Sequence, residues 1–111
     1  MNVSFKNNTL SIDDQQITFL QPIAKTEETP YGILVTVKHQ PGANNRNVYM
    51  VGTNGNVLWQ IECLDCLQIN ENLSYVGGGM YNGGLWAISW VGWTVRLAPE
   101  TGKILERVFT K

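Results

Sequence analysis

Cys63-Leu64-Asp65-Cys66 is the sharpest local motif of the chain. A C-x-x-C pair supplies two thiolates of a zinc site, or a redox dithiol whose helix-terminal position lowers one pKa. Zinc needs two further ligands. The sequence holds one histidine, His39, and no third cysteine, so a closed site within one chain would need a carboxylate. A thioredoxin-type dithiol needs a βαβ context, which this sequence lacks. The residues therefore read as inert structural thiols, reduced in a cytosolic protein. A redox pair or disulfide, and a metal site shared between chains, are the alternatives. No metal and no cofactor are expected.

Other chemistry-bearing residues read in the same way. Gly77-Gly78-Gly79 and Gly83-Gly84 suggest a phosphate cradle, but a P-loop continues into Lys-Ser/Thr and a helix. Here Met80-Tyr81-Asn82 follows, then a strand pattern, so the glycines read as a flexible or bulged strand edge. Asp13-Asp14 and Glu27-Glu28 are adjacent carboxylates. Neighbouring strand residues point to opposite faces, so neither pair aims two carboxyls at one substrate. His39 has no Ser or Cys partner in a recognisable setting and reads as a surface residue. No catalytic constellation emerges, and the chain is not expected to be an enzyme.

What remains is aromatic. The four tryptophans are Trp59, Trp86, Trp90 and Trp93. Trp59 and Trp86 sit in strongly apolar runs and are expected in the core. Trp90 and Trp93 flank the turn at Val91-Gly92, where rings reach solvent and serve as interface anchors. Tyr81, beside the glycines, is a similar candidate. Glu62, Asp65 and Glu71 lie close in sequence and would supply an acidic patch for a basic target. These six are the expected partner-binding residues. Stacking on nucleic acid would need a cationic groove, and Arg96 alone does not make one.

The elements that must position these residues are strands. The 111 residues fit one domain, and 43% are apolar, which argues against disorder. A formal net charge of −1 offers no basic field for nucleic acid and no polybasic strip for a membrane. No stretch approaches the roughly 20 apolar residues of a membrane helix, and the N-terminus lacks a signal-peptide pattern. The expected location is the cytoplasm. Apolar residues alternate or run in short blocks separated by Gly, Asn or Pro, which is strand punctuation. Strands are predicted over 3–5, 10–12, 17–20, 32–39, 47–52, 57–62, 73–76, 85–90, 94–97 and 104–110. Short helices are the best alternative over 23–28 and 62–68. Turns of two to seven residues imply antiparallel neighbours. Asn54-Gly55 is the strongest hairpin signal, with Glu100-Thr101-Gly102-Lys103 next.

Residues 48–60 and 95–107 repeat without a gap at a period of 47. Val48 pairs with Val95, Met50 with Leu97, Gly55 with Gly102 and Val57 with Ile104. A hairpin repeat near this length suits a propeller blade. The strands before the two hairpins, around Ile33–Val37 and Leu85–Ser89, are apolar on both faces. Stacked blades would cover both faces, whereas a sandwich would leave Leu34 and Ile88 exposed.

The run Gly92-Trp93-Thr94-Val95-Arg96-Leu97-Ala98-Pro99-Glu100-Thr101-Gly102-Lys103-Ile104-Leu105 resembles the blade repeat of quinoprotein-type β-propellers. Asn54-Gly55-Asn56-Val57-Leu58-Trp59 resembles the same blade end, including its closing Trp; in the second copy Glu106 stands at that place. The quinone-binding residues of the large enzymes have no counterparts here. A closed propeller usually needs four blades, and this chain holds two clear units, around 31–62 and 73–110, with a partial third at Leu10–Phe19. The expectation is a single all-β domain of antiparallel sheets, an open half-propeller or curved sheet, with a homodimer as one way to complete it. In size and class it resembles the immunity proteins of bacterial contact-dependent growth inhibition. The resemblance implies a protein-binding inhibitor that blocks a cognate toxin domain, a nuclease for instance. The alternative is a ligand-binding or enzymatic fragment of a larger quinoprotein-like assembly.

Overall fold

The computed structural model describes residues 2–39, 45–64 and 74–109. Within them eleven strands form three antiparallel sheets. β1 (Val3–Lys6), β2 (Thr9–Ile12) and β3 (Gln15–Thr18) make an N-terminal sheet. β4 (Ile23–Thr29), β5 (Gly32–Val37), β6 (Val48–Val51) and β7 (Val57–Gln60) make a middle sheet. β8 (Tyr75–Tyr81), β9 (Gly84–Ser89), β10 (Trp93–Leu97) and β11 (Ile104–Phe109) make a C-terminal sheet. Each is a meander, as the short turns require.

The sheets stack in series. Leu10, Ile12 and Phe19 meet Ile33, Val35 and Val37 of the middle sheet in one buried cluster. Leu34, Val48, Met50 and Trp59 leave the other face of that sheet and meet Leu85, Ala87, Val95 and Leu97 in a second. Every residue of β5 is therefore buried, as stacked blades require and a sandwich does not. The all-β, unclosed, propeller-like architecture stands as expected.

Segment 23–28, one of the two helix candidates, lies in strand β4. A helix this short cannot meet its nucleation cost alone, whereas an extended chain pairs with β5 from Ile23↔Val37 to Thr29↔Gly32. Thr29 tightens that turn: its hydroxyl donates to the Gly32 carbonyl at 2.9 Å and accepts from the Tyr31 N–H at 3.1 Å. The middle sheet thus begins at Ile23, ahead of the expected unit at 31. The other helix candidate is non-helical where it is described, at 62–64, and its remainder lies outside the described residues.

The repeat is real in three dimensions but shifts register. β6 and β10 superpose with Tyr49 on Val95 and Val51 on Leu97, because each pair faces N-terminally in its own sheet. The gap-free alignment put Val48 on Val95, which points to the opposite face, since a one-residue slip flips every side chain. β7 and β11 do obey the period of 47: Val57 matches Ile104 and Trp59 matches Glu106. The connection between β10 and β11 is one residue longer and absorbs the difference.

Asp13 and Asn7 adopt left-handed backbone at two hairpin turns, with φ of 50° and 55°, a conformation that Asn and Asp tolerate best among non-glycine residues. The Asp13 carboxylate also accepts from the Asn2 N–H at 2.8 Å. Asp13-Asp14 is therefore turn chemistry.

Cys63 corrects an expectation: it is disulfide-bonded, not a reduced thiol. The only other cysteine in the sequence is Cys66, which lies outside the described residues. Thiol labelling of denatured protein without reductant is expected to mark neither cysteine, and labelling of both would contradict the bond. A link between positions so close in sequence restrains little of the unfolded chain. Replacing both cysteines with Ser should cost under about 2 kcal/mol, read from a denaturant melt.

Candidate protein-binding surface

The two ends of the stack differ. On the outer face of the N-terminal sheet, register places Ser4, Lys6, Thr9, Ser11, Gln16 and Thr18 together. That face is polar and solvated.

The outer face of the C-terminal sheet consists of two cross-strand rows. One is Gly77–Ile88–Thr94–Val108, the other Gly79–Trp86–Arg96–Glu106. The corresponding rows of the middle sheet are Lys25–Thr36–Val48 and Glu27–Leu34–Met50–Trp59. There, Leu34, Val48, Met50 and Trp59 are buried beneath the C-terminal sheet. The Trp59 indole N–H reaches across to donate to the Pro99 carbonyl at 2.7 Å, and its ring lies beneath Gly102 of the β10–β11 turn. In the C-terminal sheet the matching pair, Arg96 and Glu106, forms an ion pair at 2.9 Å with both side chains about half exposed. The closing Trp fastens one blade to the next. Its replacement by Glu makes the outer half of this last face solvent-compatible.

The inner half remains apolar. Ile88 is 46% exposed, Val76 38% and Tyr81 68%. Trp86, expected in the core, is half-buried on this outer face, with its indole N–H donating to the Tyr81 carbonyl at 3.1 Å. These residues flank an open trough of about 610 Å³ whose floor is the glycine run of β8. The side chains of Lys25 and Glu27 lie across Gly77 and Gly79 from the neighbouring sheet. The glycines thus belong to a regular strand, bulged between Tyr75 and Gly77. Gly78 faces inward, where an added Cβ would lie 2.5 Å from the Trp86 carbonyl oxygen and 3.0 Å from Leu34.

The six expected partner-binding residues do not form one patch. Tyr81 ends β8 beside the trough. Trp90 is 63% exposed but lies beyond the opposite end of β9, about 20 Å away along a six-residue strand. Trp93 is half-buried against the inter-sheet core; its ring meets Phe109 edge-on at 5.1 Å and carries the Arg107 guanidinium at 5.2 Å. Glu62 is exposed, and its carboxylate accepts from the Ile104 N–H at 3.2 Å. Its carbonyl accepts from the Tyr75 hydroxyl at 3.0 Å. Burial pushes the Tyr75 phenol far above its ordinary range, the Glu62 charge adds to the rise and Arg107 opposes it, so the donor stays protonated. Asp65 and Glu71 lie outside the described residues. Sequence reasoning missed Ile88, Val76 and Trp86 as surface residues. The signal available was Ile88, apolar on the second face of a strand that ends the stack. Among the described residues no group of three His, Cys, Asp or Glu side chains is placed to hold a metal ion, and no helix is long and apolar enough to cross a membrane.

Three antiparallel sheets stacked face to face, the middle one covered on both sides and the series unclosed, define an open β-propeller-like protein. The chain belongs to the family described as Domain of unknown function (DUF7957), which it matches over residues 1–109. No curated protein matches it. Among solved structures it is similar to BamB from Moraxella catarrhalis, with a TM-score of 0.68 at 12% identity, over 98% of this chain and 32% of that one. That neighbour is a β-propeller, and at this identity the similarity carries the fold alone. The chain spans 32% of its length.

Proposed function

We propose that this protein is a non-catalytic binding module whose partner is another protein, and that within this class it is an inhibitor of the immunity-protein type, covering a cognate toxin domain in the cytoplasm. One observation carries the reading: the last sheet of the stack presents an apolar half-face, with Ile88 and Tyr81 exposed, where the equivalent face of the preceding sheet is buried. Apolar surface of that kind, rimmed by polar groups, marks an interaction site. An inhibitor of this type acts by occlusion and needs anchors, surrounding contacts that exclude water and complementary charge.

The test is a binding series against the product of the neighbouring gene, with the fold of each variant checked by its melting curve. Tyr81→Ala and Trp90→Ala address separate ends of the C-terminal sheet. A true anchor should lose about 2 kcal/mol or more of binding. Glu62→Ala, Asp65→Ala and Glu71→Ala should act mainly on the association rate and its salt dependence. Trp93→Ala is expected to destabilise the fold, because Trp93 packs against the core. Absence of any binding by the neighbouring gene product would end the inhibitor reading. Unchanged affinity and salt dependence in all six variants would show that these residues are not the surface.

A further inference from the structure

The shape and charge of the last sheet's outer face restrict what covers it. The whole face measures about 400 Å², from four strands about 4.8 Å apart and about six residues long. A partner in a standard stable interface buries about 800 Å². A second copy or another blade laid flat would also cover the Arg96–Glu106 pair, and burying an ion pair costs desolvation that its own attraction repays only with excellent geometry. The apolar half alone is about two strands wide. It is an open trough, not an enclosed pocket, which suits a chain passing through it better than a small molecule held inside it.

Charge at the rim points the same way. Lys25 and Glu27 alternate on one strand and lie over the trough floor, and neither is in an ion pair among the described residues. One supplies donors, the other acceptors, and an extended backbone presents both. The Lys25 and Glu27 stems lie against Gly77 and Gly79 on one side of the trough, and Trp86 and Ile88 line it on the other.

We propose that the trough over β8 and β9 seats an extended segment of the partner protein, with one large apolar side chain against Trp86 and Ile88 and its backbone bonded to Lys25 and Glu27. This rests on the protein-binding reading above and specifies its mode. The probe is a blocked pentapeptide, Thr-Thr-Phe-Thr-Thr, compared with the same peptide carrying Gly at its centre and followed by amide NMR shifts. Saturable binding of the Phe peptide, with shifts concentrated in β8 and β9, is expected, and the Gly peptide should bind at least about tenfold more weakly.

Gly77→Val/Gly79→Val fills the trough from its floor. Neither glycine has positive φ, and the atoms an added Cβ would meet belong to the flexible Lys25 and Glu27 side chains, at 3.4 and 3.2 Å. Ile88→Asp leaves the glycines untouched and changes an exposed residue, so the test survives if the double variant misfolds. Each folded variant should weaken the Phe peptide at least about tenfold. Equal binding of the two peptides, no binding, shifts mapping elsewhere, or variants that bind like wild type would overturn the proposal. A dimer seen by light scattering and abolished by Ile88→Asp would also overturn it, making a second copy the occupant. If the neighbouring gene product binds wild type and Ile88→Asp equally, the trough is wrong while the protein-binding reading stands. If the peptide binds and that product does not, the inhibitor reading falls and the trough stands.

Discussion

Replacing Asn47 with Ala is expected to lower the melting temperature by more than about 10 °C, the equivalent of about 3–4 kcal/mol for a domain of this size. Asn47 is buried, 5% exposed, immediately before β6. Its amide donates to the Val37 carbonyl at 2.9 Å and to the Tyr75 carbonyl at 2.7 Å. Its side-chain oxygen accepts from the Tyr75 N–H at 2.8 Å. One side chain therefore plays the part of a strand, pairing with Tyr75 across the junction of the middle and C-terminal sheets. Removal strands the backbone N–H and carbonyl of Tyr75 and takes the Asn47 donor from the Val37 carbonyl. Each buried, unsatisfied group costs about 1–3 kcal/mol. Asn47→Asp separates the two halves of the clamp: it keeps the acceptor for the Tyr75 N–H, loses both donors and buries a charge, so it should be at least as destabilising near neutral pH. Chemical denaturation with matched slopes is the measurement. A loss under about 1 kcal/mol for Asn47→Ala would mean that water replaces the clamp without penalty.

Gly102→Ala should cost about 2–4 kcal/mol, from two separable causes. The backbone at Gly102 has φ of 76°, a region that disfavours a Cβ, and that Cβ would lie within the ring of Trp59, less than 3 Å from three of its carbons. The chain contains its own control. Gly83 has nearly the same φ, 77°, with nothing near an added Cβ, so Gly83→Ala should show only the backbone cost, about 1–2 kcal/mol. The difference between the two variants measures the contact of the β10–β11 turn with the closing Trp of the preceding blade. Trp59→Leu should relieve that part, so the double variant Trp59→Leu/Gly102→Ala should be more stable than the sum of the single changes predicts. Equal losses at Gly83 and Gly102, or strict additivity in the cycle, would show that Trp59 does not lie beneath this turn.

Much of this molecule is local and was legible in the chain. Alternation and turn chemistry are properties of a few consecutive residues, so the strands around Ile33–Val37, Leu85–Ser89 and Thr94–Leu97 and the turns at Gly55 and Gly102 could be read directly. Apolar groups on both faces of β5 required two neighbours, and two neighbours are present. Glu106 in the place of a closing Trp was visible too, and in three dimensions it pairs with Arg96 on the outer face of the C-terminal sheet.

Tertiary structure decided the rest, because the deciding contacts join residues far apart in sequence. Ile23-Ala24-Lys25-Thr26-Glu27-Glu28 is composed as well for a helix as for a strand, and only the free edge of β5 makes it β4. The glycines of β8 read as a strand edge in the sequence, and only the fold shows Lys25 and Glu27 beside Gly77 and Gly79 and Leu34 beneath Gly78. Asn47 is one polar residue among many until Tyr75 arrives opposite it. Tyr81 and Trp90 lie on either side of β9 in the sequence, and that strand of six residues places them at opposite ends of the sheet. Whether Ile88 is core or surface is set by what stacks on its sheet, a contact that lies outside its own strand.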